Sequence, residues 1–275
     1  MAKEIMEISK KLFFIGSGNM ASAIISGLLQ SKLVSPDNIV CNDVVKEKVE
    51  SLAAKYGVAM AESKGEAIIG SDIIFLSVKP QNMPQVFEEI KHFVKNNAII
   101  ISIAAGITTK FIEDSIGKEI AVIRAMPNTP ALVLAGATAI CKGKYVSDEQ
   151  LSRAKKLFEA IGKAEILSEN KFDIITALSG SGPAYVFYLC ELMQKAAQNM
   201  GLNEETAKQF AVQTIYGSGK MLAETQTPAQ KLKEIVKSPN GTTEAALHCF
   251  EKNKLADIVE KAMKEAEKRS KELSK

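Results

Sequence analysis

The feature that most restricts this 275-residue chain is a glycine turn placed directly behind its first apolar run. Leu12-Phe13-Phe14-Ile15 leads into Gly16-Ser17-Gly18-Asn19-Met20-Ala21, and then into an apolar-rich stretch opening Ser22-Ala23-Ile24-Ile25. This is G-x-G-x-x-A between a strand and a helix. Gly16 permits a tight turn, Gly18 lets the backbone approach a pyrophosphate with no Cβ in the way, and Ala21 is small enough for close helix-on-strand packing. An anion held by Gly16, Ser17, Gly18, Asn19 and Met20 would meet the unpaired amides of a helix N-terminus.

The rest of the first half repeats the same alternation. Candidate strands are residues 12–15, 39–42, 73–78, 98–103 and 121–124, separated by helix-length amphipathic stretches. Their apolar residues run nearly without interruption, as in parallel strands covered on both faces, so an α/β doubly wound sheet is expected. After about residue 167 strand signals stop and helices are expected over 170–178, 183–200, 204–223, 228–236, 243–252 and 254–273. The change of pattern predicts a dinucleotide-binding domain over 1–164 and a helical domain over 165–275.

In open sheets of this kind ligands bind beyond the carboxyl ends of the strands. The second strand ends at Asp43, 22 residues after Ala21, where an acid accepts hydrogen bonds from the ribose hydroxyls; that favours NADH. Lys46 and Lys48 follow closely and suit the 2′-phosphate of NADPH if Asp43 turns away, and Asp43 is equally placed to cap the next helix. At the exit Ser77-Val78-Lys79-Pro80-Gln81, Lys79 and Gln81 are placed to face the dinucleotide and Pro80 to stop the strand, while the stiff polar exit from Arg124 through Asn128 and Thr129 to Pro130 suits the wall of a nicotinamide or substrate pocket.

The helical half carries two more glycine turns. Ala177-Leu178-Ser179-Gly180-Ser181-Gly182-Pro183 precedes a long apolar helix, and Ser238-Pro239-Asn240-Gly241-Thr242-Thr243 opens another. In the second, hydroxyls and free amides converge at a positive helix end, a receptor for a carboxylate. No His, Lys or carboxylate dyad stands out for activating an alcohol. An acidic imine needs less: its protonated form has an electrophilic carbon already, and a threonine hydroxyl can serve its nitrogen.

Composition excludes other classes. Thirty-five basic and 32 acidic residues leave a formal charge of +3, too small and too interspersed for a nucleic-acid binder. Lys3, Glu4 and Glu7 interrupt any export signal, and the most apolar stretch, 98–107, is about half the length of a membrane span, so a cytoplasmic protein with no membrane role is expected. Four scattered cysteines and two histidines predict neither a metal site nor a disulfide framework.

Taken in order, GSGNMA, VKPQ, RAMPNTP, ALSGSGPAY and SPNGTT resemble pyrroline-5-carboxylate reductases along nearly the whole chain. The resemblance implies a Rossmann N-terminal domain and a helical C-terminal domain that interlocks with a second subunit, as a homodimer or a larger ring of dimers. It implies NADPH- or NADH-dependent reduction of 1-pyrroline-5-carboxylate to L-proline in a site completed across the dimer. Carried over by position, Gly16 to Met20 become the pyrophosphate loop, Val78, Lys79 and Pro80 the dinucleotide wall, and Asn128, Thr129 and Thr176 the nicotinamide side. Ser238, Gly241, Thr242 and Thr243 become the substrate-carboxylate loop, with Thr243 against the ring nitrogen. Asn240 stands where the family usually has a second glycine, and Asn tolerates positive φ better than most residues. Two alternatives remain: a β-hydroxyacid dehydrogenase, which would need a lysine near the start of the helix at 183, where the first is Lys195, and a non-catalytic dinucleotide sensor.

Overall fold

Eight strands form one sheet in the order β3-β2-β1-β4-β5-β6-β7-β8 in the computed structural model, which describes residues 10–274. The stretch read for an export signal lies largely outside those residues. The strands are β1 (Leu12–Ile15), β2 (Ile39–Asn42), β3 (Ala59–Met60), β4 (Ile73–Leu76), β5 (Ile99–Ser102), β6 (Ala121–Met126), β7 (Gly136–Lys142) and β8 (Gly162–Ile166). All neighbours pair parallel except β6 and β7. This is the Rossmann-type sheet expected from the continuous apolar runs, with a pairing the pattern did not predict.

Helices α1 (Asn19–Gln30), α2 (Lys46–Tyr56) and α6 (Asp148–Glu159) cover one face of the sheet, and α3 (Lys64–Gly70), α4 (Met83–Ile90) and α5 (Thr109–Ile116) the other. The strand alternation sorts the core accordingly: Phe14 and Phe75 point to the first face and stack with ring centroids 4.4 Å apart, while Phe13, Ile74 and Leu76 point to the second. Every residue of β1 and β4 is buried, which is why these strands show no polar alternation.

Beyond β8 the chain is helical: α7 (Phe172–Ile175), a π turn over Thr176–Gly180, α8 (Gly182–Asn199), α9 (Glu204–Thr225), α10 (Ala229–Val236), α11 (Thr242–Lys252) and α12 (Leu255–Leu273). The chain divides into two compact units, residues 1–180 with 266–275, and residues 181–265. The second has almost no interior of its own. Within it only Ala207 and Ala211 are buried, while Phe187, Tyr188, Phe210, Tyr216, Ile235 and Val236 are each more than 60% exposed. An apolar surface of that density belongs to an interface. No helix among the described residues is long and apolar enough to cross a membrane.

One buried charge organises the far side of the sheet. Arg124, 3% exposed on β6, donates from Nη1 to Glu169 Oε1 at 3.1 Å and lies over the Phe172 ring. Glu169 also accepts from the Thr109 amide at 2.9 Å and the Thr109 hydroxyl at 2.7 Å. The pair thus joins α5, β6 and the turn before α7. Removing one partner of such a pair strands the other charge away from water, so Glu169→Ala is expected to cost about 3 kcal/mol in urea unfolding; a loss under about 1 kcal/mol would show the pair to be dispensable.

Candidate active site

The glycine turn sits where β1 runs out between β2 and β4. Gly16 has φ +101°, and a Cβ there would lie 2.5 Å from the Ser77 carbonyl oxygen, so both its conformation and its surroundings demand glycine. Its amide donates to the Asn42 carbonyl at 2.8 Å. Gly18 differs: its φ is −78° and nothing lies within 4 Å of where a Cβ would be, so its bareness keeps space open rather than relieving a clash. Gly18 caps α1 with no side-chain hydrogen bond, leaving the amides of Asn19 and Met20 without acceptors inside the helix.

A cavity of about 420 Å³ opens from this turn, lined by Gly16, Gly18, Asp43, Ser77, Val78 and Lys79 and reaching Val44, Val45, Lys48, Lys64, Gln85 and Glu89. The sequence-predicted Gly16, Gly18, Asp43, Val78 and Lys79 are therefore brought together. Pro80 starts the short 3₁₀ turn that follows and does not line the cavity, and Ser17 is buried beneath it. Asp43 does not cap α2, whose N-cap is Val45. Its carboxylate instead accepts from the Ser17 amide at 2.7 Å and the Val45 amide at 2.9 Å, tying the end of β2 to the glycine turn.

The residues fit a dinucleotide. The free amides at the start of α1 face an anion, and Val44, 92% exposed, and Val45 offer apolar cover for a flat ring. Ser77 Oγ in the wall is buried with no partner among the described residues, a polar atom awaiting one. Lys46 pairs with Glu50 at 3.1 Å on α2 and is not part of the lining; Lys48 is. The lining from α3 and α4 carried no motif, since it is assembled only when those helices fold over β4.

At the β6 edge the polar exit is largely spent on structure. Arg124 belongs to the strand and to Glu169, not to a ligand wall. Asn128 donates from Nδ2 to the Ser179 carbonyl at 3.0 Å and accepts the Ala137 amide at 2.9 Å on Oδ1, so its amide staples β7 to the π turn. Thr129 is exposed beside it. Thr176 opens that turn and donates its hydroxyl to the Phe172 carbonyl at 2.8 Å. Asn128, Thr129 and Thr176 are thus held near one another by the staple, in a π segment of the sort often found at functional sites.

In the second unit, Gly241 caps α11 without a side-chain hydrogen bond, which leaves the amides of Thr242 and Thr243 free of acceptors within the helix. A Cβ on Gly241 would lie 2.2 Å from Ser238 Oγ, and the Gly241 amide donates to the Ser238 carbonyl at 2.9 Å, so Ser238 and Gly241 close on each other. Asn240 does take positive φ, +56°, as its chemistry allows. Its amide is held by Glu244 Oε2 at 2.7 Å, a contact the sequence offered only as an acid near a helix start. The first lysine of α8, Lys195, pairs with Glu191 well inside the helix.

Comparison with known proteins shows the family of the chain. Residues 169–273 match the family model for pyrroline-5-carboxylate reductase dimerisation, and residues 11–106 match that for NADP oxidoreductase, coenzyme F420-dependent. The chain is 38% identical over 275 residues to pyrroline-5-carboxylate reductase 1 of Bacillus subtilis, covering 99% of this chain and 93% of that one. It is 37% identical, with a TM-score of 0.92, to the structure of a pyrroline-5-carboxylate reductase from Coxiella burnetii, covering 98% of this chain and 100% of the other. The pyrroline carboxylate reductase of Plasmodium falciparum, crystallised with NADP bound, aligns with a TM-score of 0.86 at 31% identity over 98% of this chain and 100% of that one. At this identity over the full length, the chain belongs to the pyrroline-5-carboxylate reductase family.

Proposed function

We propose that this protein reduces the C=N bond of 1-pyrroline-5-carboxylate to give L-proline, with NADPH or NADH as hydride donor, in the cytoplasm. Family membership over the full chain, with both amide-lined helix starts intact, carries the reading. The nicotinamide cofactor supplies the hydride; the chain supplies position and polarity. The start of α1 with Gly16 to Met20 binds the pyrophosphate, and Val78, Lys79 and Pro80 flank the dinucleotide. The π turn with Thr176, held by Asn128 and next to Thr129, supports the nicotinamide end. Ser238, Gly241, Thr242 and Thr243 receive the substrate carboxylate at the start of α11, and the Thr243 hydroxyl hydrogen-bonds the ring nitrogen.

Holding a preformed electrophile beside the hydride donor removes the need for a strong acid, which accounts for a site rich in hydroxyls and amides. The dehydrogenase alternative lacks its lysine, since Lys195 is exposed and ion-paired. Thr243→Ala is expected to lower kcat/KM for pyrroline-5-carboxylate by at least tenfold, about 1.4 kcal/mol; a change within about threefold would remove its role. Asp43→Ser is expected to shift the ratio of kcat/KM for NADPH over NADH upward, and an unchanged ratio would take Asp43 out of ribose recognition.

The bare helical unit requires a partner, and a second copy of the chain supplies identical apolar faces, giving a homodimer or a ring of dimers. Placing a charge in that surface should be felt at once. Phe210→Glu is expected to shift the protein to smaller species in sedimentation and to lower its melting temperature; an unchanged sedimentation coefficient would place Phe210 outside the interface.

A further inference from the structure

The cavity beyond the glycine turn contains an ion pair for which the reaction has no use. It extends past Asn42 and Asp43 at the carboxyl end of β2 to the start of α3, where Lys64 stands, and to α4, where Glu89 stands. Lys64 Nζ donates to Glu89 Oε2, and Gln85 Nε2 donates to Glu89 Oε1 at 2.9 Å. The Lys64 bond is the chief reason that the Glu89 carboxyl is held below its ordinary range.

Lys79 also lines the cavity, at the exit of β4 beside the glycine turn, and three further charged groups in or near it are committed elsewhere or unfixed. Asp43 is an anion with each carboxylate oxygen on a backbone amide, so it suits ribose hydroxyls and cannot pair with a phosphate. Lys46 is paired with Glu50 outside the lining. Lys48 lines the cavity but forms no ion pair among the described residues, so it would lose side-chain freedom on taking up a ligand anion. Lys64 has already been ordered by Glu89, which Gln85 holds in turn, and its side chain is 27% exposed, so it remains reachable.

Resting on the dinucleotide reading of this cavity, we propose that Lys64 receives the 2′-phosphate of NADPH by exchanging Glu89 for the phosphate, and that Glu89 thereby sets the preference between NADPH and NADH. A phosphate monoester carries more charge than a carboxylate and more acceptor oxygens, and the flexible lysine stem allows the swap while Gln85 keeps Glu89 satisfied. NADH has no such group and leaves the pair closed. Glu89 acts as an internal competitor: its negative charge occupies Lys64 and repels the incoming phosphate.

The test is titration of the ligand-free protein with NADPH, NADH and adenosine 2′,5′-bisphosphate, which carries the 2′-phosphate and no nicotinamide, read by calorimetry at two salt concentrations. Glu89→Gln is expected to tighten NADPH and the bisphosphate about fivefold while NADH changes less than twofold, in keeping with a partly exposed pair. Lys64→Gln is expected to weaken both phosphate-bearing ligands about tenfold, to reduce the salt dependence of their binding, and to leave NADH within twofold. Lys48→Gln should move NADPH less than Lys64→Gln does. Equal changes for NADPH and NADH, weaker NADPH binding in Glu89→Gln, or a larger effect from Lys48→Gln would overturn the assignment. Failure of the unmodified protein to bind any nicotinamide nucleotide would instead overturn the dinucleotide reading beneath it.

Discussion

The close approach of the β1 turn to the exit of β4 is the constraint on which the coenzyme half of this molecule depends. With a Cβ at residue 16 the Ser77 carbonyl would have to move, and with it the wall of Val78 and Lys79. The turn is also anchored from the other side, by the Gly16 amide on Asn42 and the Ser17 amide on Asp43. Three strand ends are therefore locked together by backbone geometry and one carboxylate. Rigid backbone at this place lets the amides of α1 keep a fixed aim on an anion, which is worth more than a flexible cationic side chain that must be ordered first.

The helical half follows a different economy. Residues 181–265 leave long apolar faces uncovered in a single chain, so their stability is deferred to association. The glycine turn at the start of α11 belongs to this unit. It is held locally by the contact of Gly241 with Ser238 and by Glu244 on the Asn240 amide. A family model described as dimerisation covers this same stretch.

Legibility in the sequence tracked how local each feature is. β1, β4 and β5 were plain because burial on both faces gives unbroken apolar runs, and Asn240 was readable as a positive-φ residue because it stands where the family usually has glycine. β3, β7 and β8 were not. β3 is two residues long, β7 is built largely of alanine and other small residues, and β8 alternates lysine and glutamate on an exposed edge, each weak in strand signal. The antiparallel turn of β7 follows from a 3₁₀ connection whose outcome no periodicity records. Arg124 and Asn128 looked like ligand-facing polar groups because their partners, Glu169 and Ser179, lie 45 and 51 residues away. The Lys64 and Glu89 pair was invisible for the same reason, being two ordinary helix charges until α3 and α4 pack side by side.

The two halves solve one electrostatic problem in the same way. In the proposed reading each holds an anionic ligand, a pyrophosphate or a carboxylate, and each presents the start of a helix capped by glycine, Gly18 or Gly241, with no side-chain cap. A capping Ser or Asp would satisfy an end amide internally and stabilise the helix over glycine by roughly a few tenths of a kcal/mol, a small cost borne in the free protein. Ser63, Thr108, Ser147 and Asn203 do supply side-chain caps, to α3, α5, α6 and α9. Amides left bare behind a glycine can receive an anion with backbone alone. Such a site keeps the same charge at every pH at which the fold survives, which suits an enzyme whose substrate brings its own reactive, protonated nitrogen.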